Sequence, residues 1–287
     1  MSGHFLHRDG IRVHVEGPWP FVTRLRYALH GRRIEWLARQ HRKGLHLEAR
    51  ALDARLPLFW QSEAYNRAIG LIFAVGSLLF MLGSALSLLP LAWQPAMLWL
   101  NLIFFAGSVP FTLAAYLQHF QAANSGDFTF MPQTPRRRRL SFVGWHPRNA
   151  GWMSTITQFA GTLAFNVNTF DGVLARPGWL AQDVALWAPD MIGSVLFLVS
   201  GYLAFIETGH RYWSWHPASL AWQIVFINLI GCIAFMIAAI LALALPGGEA
   251  AWIGTASTVN LLIGATCFLI GALLSVREAT TQSSVSA

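Results

Sequence analysis

Charge is scarce in this chain: Asp, Glu, Lys and Arg make up 11% of its 287 residues, while 55% are hydrophobic. A soluble domain carries about 25% charged residues, so the scarcity excludes an ordinary soluble surface and points to a polytopic membrane protein. Cysteine is scarcer still. Cys232 and Cys267 both fall inside apolar segments, which argues against a disulfide framework or a Cys-based zinc site. No nucleotide-binding glycine loop, nucleophile elbow or HExxH helix occurs. The N-terminus is polar and basic, with no early apolar core before a cleavage site, so no cleavable signal peptide is expected.

What the chain has is long apolar runs. A bilayer core needs about 20 predominantly apolar residues per helix, and six such stretches are expected near 65–89, 95–120, 150–171, 187–207, 218–246 and 252–276. Of 20 Lys plus Arg, only Arg176 falls on the side opposite the others. By the positive-inside rule both termini are cytoplasmic, in a multi-pass protein of the bacterial inner membrane. The net charge of +7 therefore implies contact with anionic lipid headgroups rather than with nucleic acid. The run Arg136, Arg137, Arg138 and Arg139 is the plainest lipid-contact element.

One phrase recurs inside all six stretches: Gly, a small residue, an aliphatic residue or Thr, any residue, then Phe. The copies run Gly76–Phe80, Gly107–Phe111, Gly161–Phe165, Gly193–Phe197, Gly231–Phe235 and Gly264–Phe268, with Gly-to-Gly separations of 31, 32 and 33 within successive pairs. Three parallel-repeat helical hairpins follow. Trp145-His146-Pro147 and Trp215-His216-Pro217 enter the third and fifth stretches alike, and Trp60 enters the first. The expected fold is an all-α membrane protein of six spans, most simply in a pseudo-threefold arrangement. Its parts are a basic N-terminal segment (1–60), hairpin 1 (61–124), a basic loop (125–144), hairpin 2 (145–209), hairpin 3 (210–278) and a disordered tail (279–287).

Within the N-terminal segment, Ile11–Glu16 alternates like a strand and Gly17-Pro18-Trp19-Pro20 breaks it. Residues 21–54 are expected to be helical, interrupted near Gly31 and Gly44. They would lie in the headgroup plane or form a small subdomain on the bundle.

Asn66, Gly70, Gly76-Ser77, Phe80 and Gly83-Ser84 make the first hairpin resemble the YrhK-like family of bacterial membrane proteins. That resemblance implies a helical-hairpin architecture and assigns no activity.

Two constellations remain. In the third stretch Ser154, Gln158, Thr162, Asn166 and Thr169 recur on one helix face. Asn228 takes the Gln158 position in the fifth, and Asp171 and Asp190 would sit at the outer mouth. Such polar groups face the bundle or water, as a hydrogen-bonded seam or as the lining of a pathway for a small solute or ion. At the cytoplasmic ends, His119, His146, His210 and His216 share a plane with Glu207 and Glu278. They form an aromatic belt or, alternatively, a metal site. No cofactor is otherwise predicted. Besides transport, a scaffold or accessory subunit binding itself or other membrane subunits through its Gly and Phe faces fits the sequence. So does a membrane enzyme built on the histidine plane.

Overall fold

The computed structural model describes residues 4–8, 11–29, 32–45, 58–125, 140–174, 180, 183–243 and 250–283. The chain begins with four antiparallel strands in sequential order, β1 (His4–Arg8), β2 (Ile11–Glu16), β3 (Arg24–Leu29) and β4 (Arg32–Leu37). The register places Val13, Tyr27 and Ile34 side by side, and likewise Val15, Leu25 and Trp36. All six share one face, and Val13, Leu25, Trp36 and Ala38 form its buried core. On the other face Glu16 and Glu35 pair with Arg24 and Arg26.

This sheet corrects two expectations, an all-α chain and a helix over 21–54. Leu25 and Tyr27 alternate with Arg24 and Arg26, and Ile34 and Trp36 with Arg33 and Glu35, the two-residue period of a half-buried strand rather than a helix. Helix begins only at α1 (Ala38–Lys43), closed by Gly44 in the left-handed region at φ 71°, where glycine carries no steric penalty.

Six long helices follow: α2 (Glu63–Ser87), α3 (Met97–Asn124), α4 (Ala150–Val173), α5 (Ala188–Gly209), α6 (Leu220–Leu241) and α7 (Ala251–Ser283). The first helix of each successive pair is capped by a side chain: Ser62, Asn149 and Ser219 accept from Tyr65, Trp152 and Trp222 backbone N–H groups. Among the described residues, five helices are long and apolar enough to cross a membrane. Their outer faces carry exposed aliphatic side chains such as Leu71, Val75, Val199, Ile233 and Ile263. The exception is α4, similar in length but carrying the polar stripe. The tail also differs from expectation, since 279–283 continue α7 and Ala279 is buried. The remainder, 284–287, lies outside the described residues, as do most of the 125–144 loop and Arg136, Arg137, Arg138 and Arg139.

Each long helix packs on its neighbours in sequence, and α7 returns to α2, so the six close a ring. The recurrent phrase explains the packing within each pair. A Cβ at Gly76 would lie 2.6 Å from Phe111 Cδ2, and one at Gly107 would lie 3.0 Å from Phe80 Cδ2. The same reciprocal insertion joins Gly161 to Phe197 and Gly193 to Phe165, then Gly231 to Phe268 and Gly264 to Phe235. Glycine lets the backbones approach, and the partner's ring fills the space.

All six phenylalanines then meet on the ring axis in one buried cluster. Phe80, Phe165 and Phe235 form one layer, linked through Phe235 at centroid distances of 6.2 and 5.9 Å. Phe111, Phe197 and Phe268 form the second, linked through Phe268 at 5.9 Å. Edge-to-face contacts of 5.0–5.6 Å join the layers within each pair, the geometry that the ring quadrupole favours. The void among them admits water centres over only about 10 Å³, about the minimum for one water.

Candidate functional site

On the N-terminal side of this aromatic plug the ring opens into a cavity whose floor is Phe111, Phe197 and Phe268. Water centres fit over about 100 Å³ of it, room for several waters or a small solute. Its wall has the same threefold logic as the plug. Phe73, Gln158 and Asn228 each lie three residues before the phrase glycine of their helix, and all three line the cavity. Gln121, Glu207 and Glu278 each lie fourteen residues after the glycines of α3, α5 and α7, so they reach one level at the mouth.

Over that mouth sits α1. Arg42 donates from both terminal nitrogens to Glu207, at 2.5 and 2.9 Å. Arg39 does the same to Glu278, at 2.5 and 2.8 Å. Lys43 adds a third cation, 2.8 Å from Glu278 Oε2. Planar guanidinium suits this two-point grip on a carboxylate. All four Arg and Glu side chains are buried.

The third equivalent position is neutral, and Gln121 donates instead to the Trp60 carbonyl (2.6 Å) and to Asn66 Oδ1 (3.0 Å). Asn66 in turn donates to the Lys43 carbonyl at 2.9 Å, so α1 is tied to α2, α5 and α7. Gly151, at the Asn66 position of α4, has no side chain because the Arg42 guanidinium and the Glu207 carboxylate occupy the space where its Cβ would stand.

Two titratable groups under the sheet domain depart from ordinary behaviour. Burial pushes Lys43 down to about 8, helped by the neighbouring Arg39 and opposed by Glu278. Burial likewise holds His210 down to about 4, helped by Arg24, and its Nδ1 lies 2.9 Å from Thr23 Oγ1.

The sequence-derived candidates separate into groups. Ser154, Gln158 and Asn228 line the cavity, and Ser154 is also locked to α5: its hydroxyl donates to the Ser200 carbonyl at 2.9 Å while Ser200 donates back at 2.7 Å. Thr162 borders the phenylalanine void and donates to its own helix at the Phe159 carbonyl. Beyond the plug, Asn166 donates to Thr112 Oγ1 at 2.9 Å and Thr169 to Ser108 Oγ at 3.1 Å, which makes this part of the stripe an α3–α4 seam. Asp171 and Asp190 lie near the far end of the ring, away from the cavity.

The histidine plane is not one site. His119 is buried between Thr155 Oγ1 (3.1 Å) and the Val143 carbonyl (2.9 Å), and His210 faces the sheet. His146 is half-buried, His216 is exposed, and Glu207 is engaged by Arg42. Among the described residues no group of three or more His, Cys, Asp or Glu is arranged to hold a metal ion.

Arg39, Arg42 and Lys43 carry no sequence motif, and their partners stand 165 to 239 residues away. The available signal was the matched placement of Glu207 and Glu278 at helix ends, where a buried carboxylate requires a cation. Searches of family models, curated proteins and solved structures returned no match to this chain.

Proposed function

We propose that this chain is a six-span inner-membrane protein of three parallel hairpin repeats, with both termini cytoplasmic, that passes a small solute through the ring. On this reading the sheet domain and α1 form a cytoplasmic cap, the polar cavity is the holding site, and the double phenylalanine layer is the gate. The observation that carries it is the cavity itself. Its wall draws equivalent polar residues from more than one repeat, including Gln158 and Asn228, yet packing alone would favour apolar side chains there. A closed aromatic layer below and a removable ionic cap above are what alternating access to such a cavity requires. The polar half of α4 beyond the plug is spent on the seam with α3, so the route runs along the axis rather than along the whole stripe.

A scaffold reading has less support, because the Gly and Phe faces are used in the internal contacts of the ring. A membrane enzyme on the histidine plane has less still, since those side chains are dispersed. The YrhK-like resemblance fits the architecture: Gly70, Gly76 and Gly83 all sit where a Cβ would meet a neighbouring helix at 2.6–2.9 Å.

The test is solute flux into proteoliposomes for a panel of small neutral, anionic and cationic compounds. Wild-type protein should carry at least one of them, and Gln158→Leu combined with Asn228→Leu should abolish that flux. Undiminished flux in the double variant would overturn the reading.

A further inference from the structure

We infer that the cavity binds a small organic monoanion with an apolar body, its charge beneath α1 against Arg42 and Lys43 and its body on the phenylalanine floor. The inference rests on the reading of the ring as a solute passage and adds the chemical class of what is held. Among the described lining residues the ionised groups are Arg39, Arg42, Lys43 and Glu207, and Glu278, outside the lining, is the fifth charge of the cluster through its pairs with Arg39 and Lys43. Arg42 and Glu207 satisfy each other in a two-point pair, as do Arg39 and Glu278. Lys43 is then the surplus, sharing a carboxylate that Arg39 already grips. A buried surplus cation favours one negative charge in the adjacent space and repels a second positive one.

Arg42 supplies the second observation. It is 94% buried, and its Nε–H has no hydrogen-bond partner among the described residues. Buried donors without an acceptor are costly, and a carboxylate on the bound solute would satisfy this one. The remainder of the wall fits the rest of such a molecule. Phe73, Ile69, Ile224 and the three floor rings offer apolar contact. On α3, Gln118 and Gln121 each hold a buried Oε1 without a partner among the described residues, which favours an anion that also bears a hydroxyl or N–H.

Lys43 gives a handle that leaves both two-point pairs in place. The charged groups that face it are Glu278 from α7 and Arg39 and Arg42 on its own helix. With its charge lost above about pH 8, the five groups become two cations and two anions, and the preference for an anion should fade.

The experiment is isothermal titration calorimetry of the full-length protein in detergent with three probes: mandelate, its neutral counterpart mandelamide, and the cation benzylamine. At neutral pH mandelate should bind on the order of tenfold more tightly than mandelamide, and benzylamine should give no heat. Lys43→Gln should bring mandelate and mandelamide together. Lys43→Arg should keep the mandelate advantage and carry it past pH 9, where the wild-type advantage has faded. The wild-type and Lys43→Arg pH profiles decide the matter even if Lys43→Gln fails to fold.

Equal affinity for mandelate and mandelamide, binding of benzylamine, or an advantage that survives both Lys43→Gln and high pH would overturn the inference. Lys43-dependent mandelate binding without flux in liposomes would leave the anion site standing and remove the passage. Carriage of a neutral solute with no mandelate binding would leave the passage standing and remove the anion site.

Discussion

Arg42, on a six-residue helix of the N-terminal domain, and Glu207, near the end of α5, form a buried two-point ion pair across 165 residues of sequence. The contact decides how the sheet domain sits on the ring. Removing one partner of such a pair leaves the other charge buried and alone, which costs about 3–5 kcal/mol, whereas replacing both by apolar groups is often neutral. Glu207→Gln should therefore lower stability by about that amount in detergent unfolding, and Arg42→Met with Glu207→Leu should recover most of it. A loss below about 1 kcal/mol for Glu207→Gln, the worth of a solvated surface pair, would mean that the mouth is wet.

Gly151 tests the same contact from below. Because the Arg42–Glu207 pair occupies the position of its missing Cβ, Gly151→Ala should detach the cap although alanine is the better helix former. Limited proteolysis should then cut faster between the sheet domain and α2. Wild-type protection would contradict the geometry.

The glycines of the recurrent phrase should tolerate substitution far less than a glycine outside it. At Gly161 a Cβ would lie 2.7 Å from Phe197 Cδ2 in the packed axis, while at Gly254 nothing lies within 4 Å. Gly161→Ala should destabilise by about 1–3 kcal/mol through overpacking, and Gly254→Ala should be neutral or stabilising by up to about 1 kcal/mol through helix propensity. Thermal unfolding of the two variants side by side measures the difference.

Acid should loosen the sheet domain through His210. Its pKa in the folded chain is about 4 against an ordinary 6.5, so between those values the unfolded chain binds the proton and the folded chain does not. The stabilisation is fully present above 6.5 and is lost as pH falls from 6.5 toward 4. His210→Asn keeps a residue that accepts the left-handed backbone at φ 58° and should remove this part of the pH dependence. An identical acid profile in wild type and variant would count against the assignment.

The helix pairs were legible because close packing of apolar helices leaves a local trace: a glycine where backbones touch and a Phe where the partner's gap must be filled. Six copies at near-equal spacing fixed the helix pairs, and the helix ends agree with the apolar stretches to within a few residues except at the C-terminal ends of α6 and α7. The polar stripe on α4 was legible too, but its division was not, since Asn166 and Thr169 find partners in Thr112 and Ser108 of another helix. In the N-terminal domain, Leu25 and Tyr27 alternate with arginines, a two-residue period that competed with a helical reading of the same apolar residues. The cap was the hardest feature to read. Arg39, Arg42 and Lys43 look like three more positive charges in a basic segment until the fold sets them over Glu207 and Glu278.

A solute that travels through the cavity above the phenylalanine floor passes the native thiol of Cys232, which lies in that cavity's wall. In a Cys267→Ser background, uptake into proteoliposomes should be measured before and after Cys232 is modified by a small methanethiosulfonate reagent, with the extent of modification read by mass spectrometry. Modification should stop uptake, and saturating solute should slow the labelling of Cys232. Full uptake by quantitatively modified protein would rule out passage through this cavity.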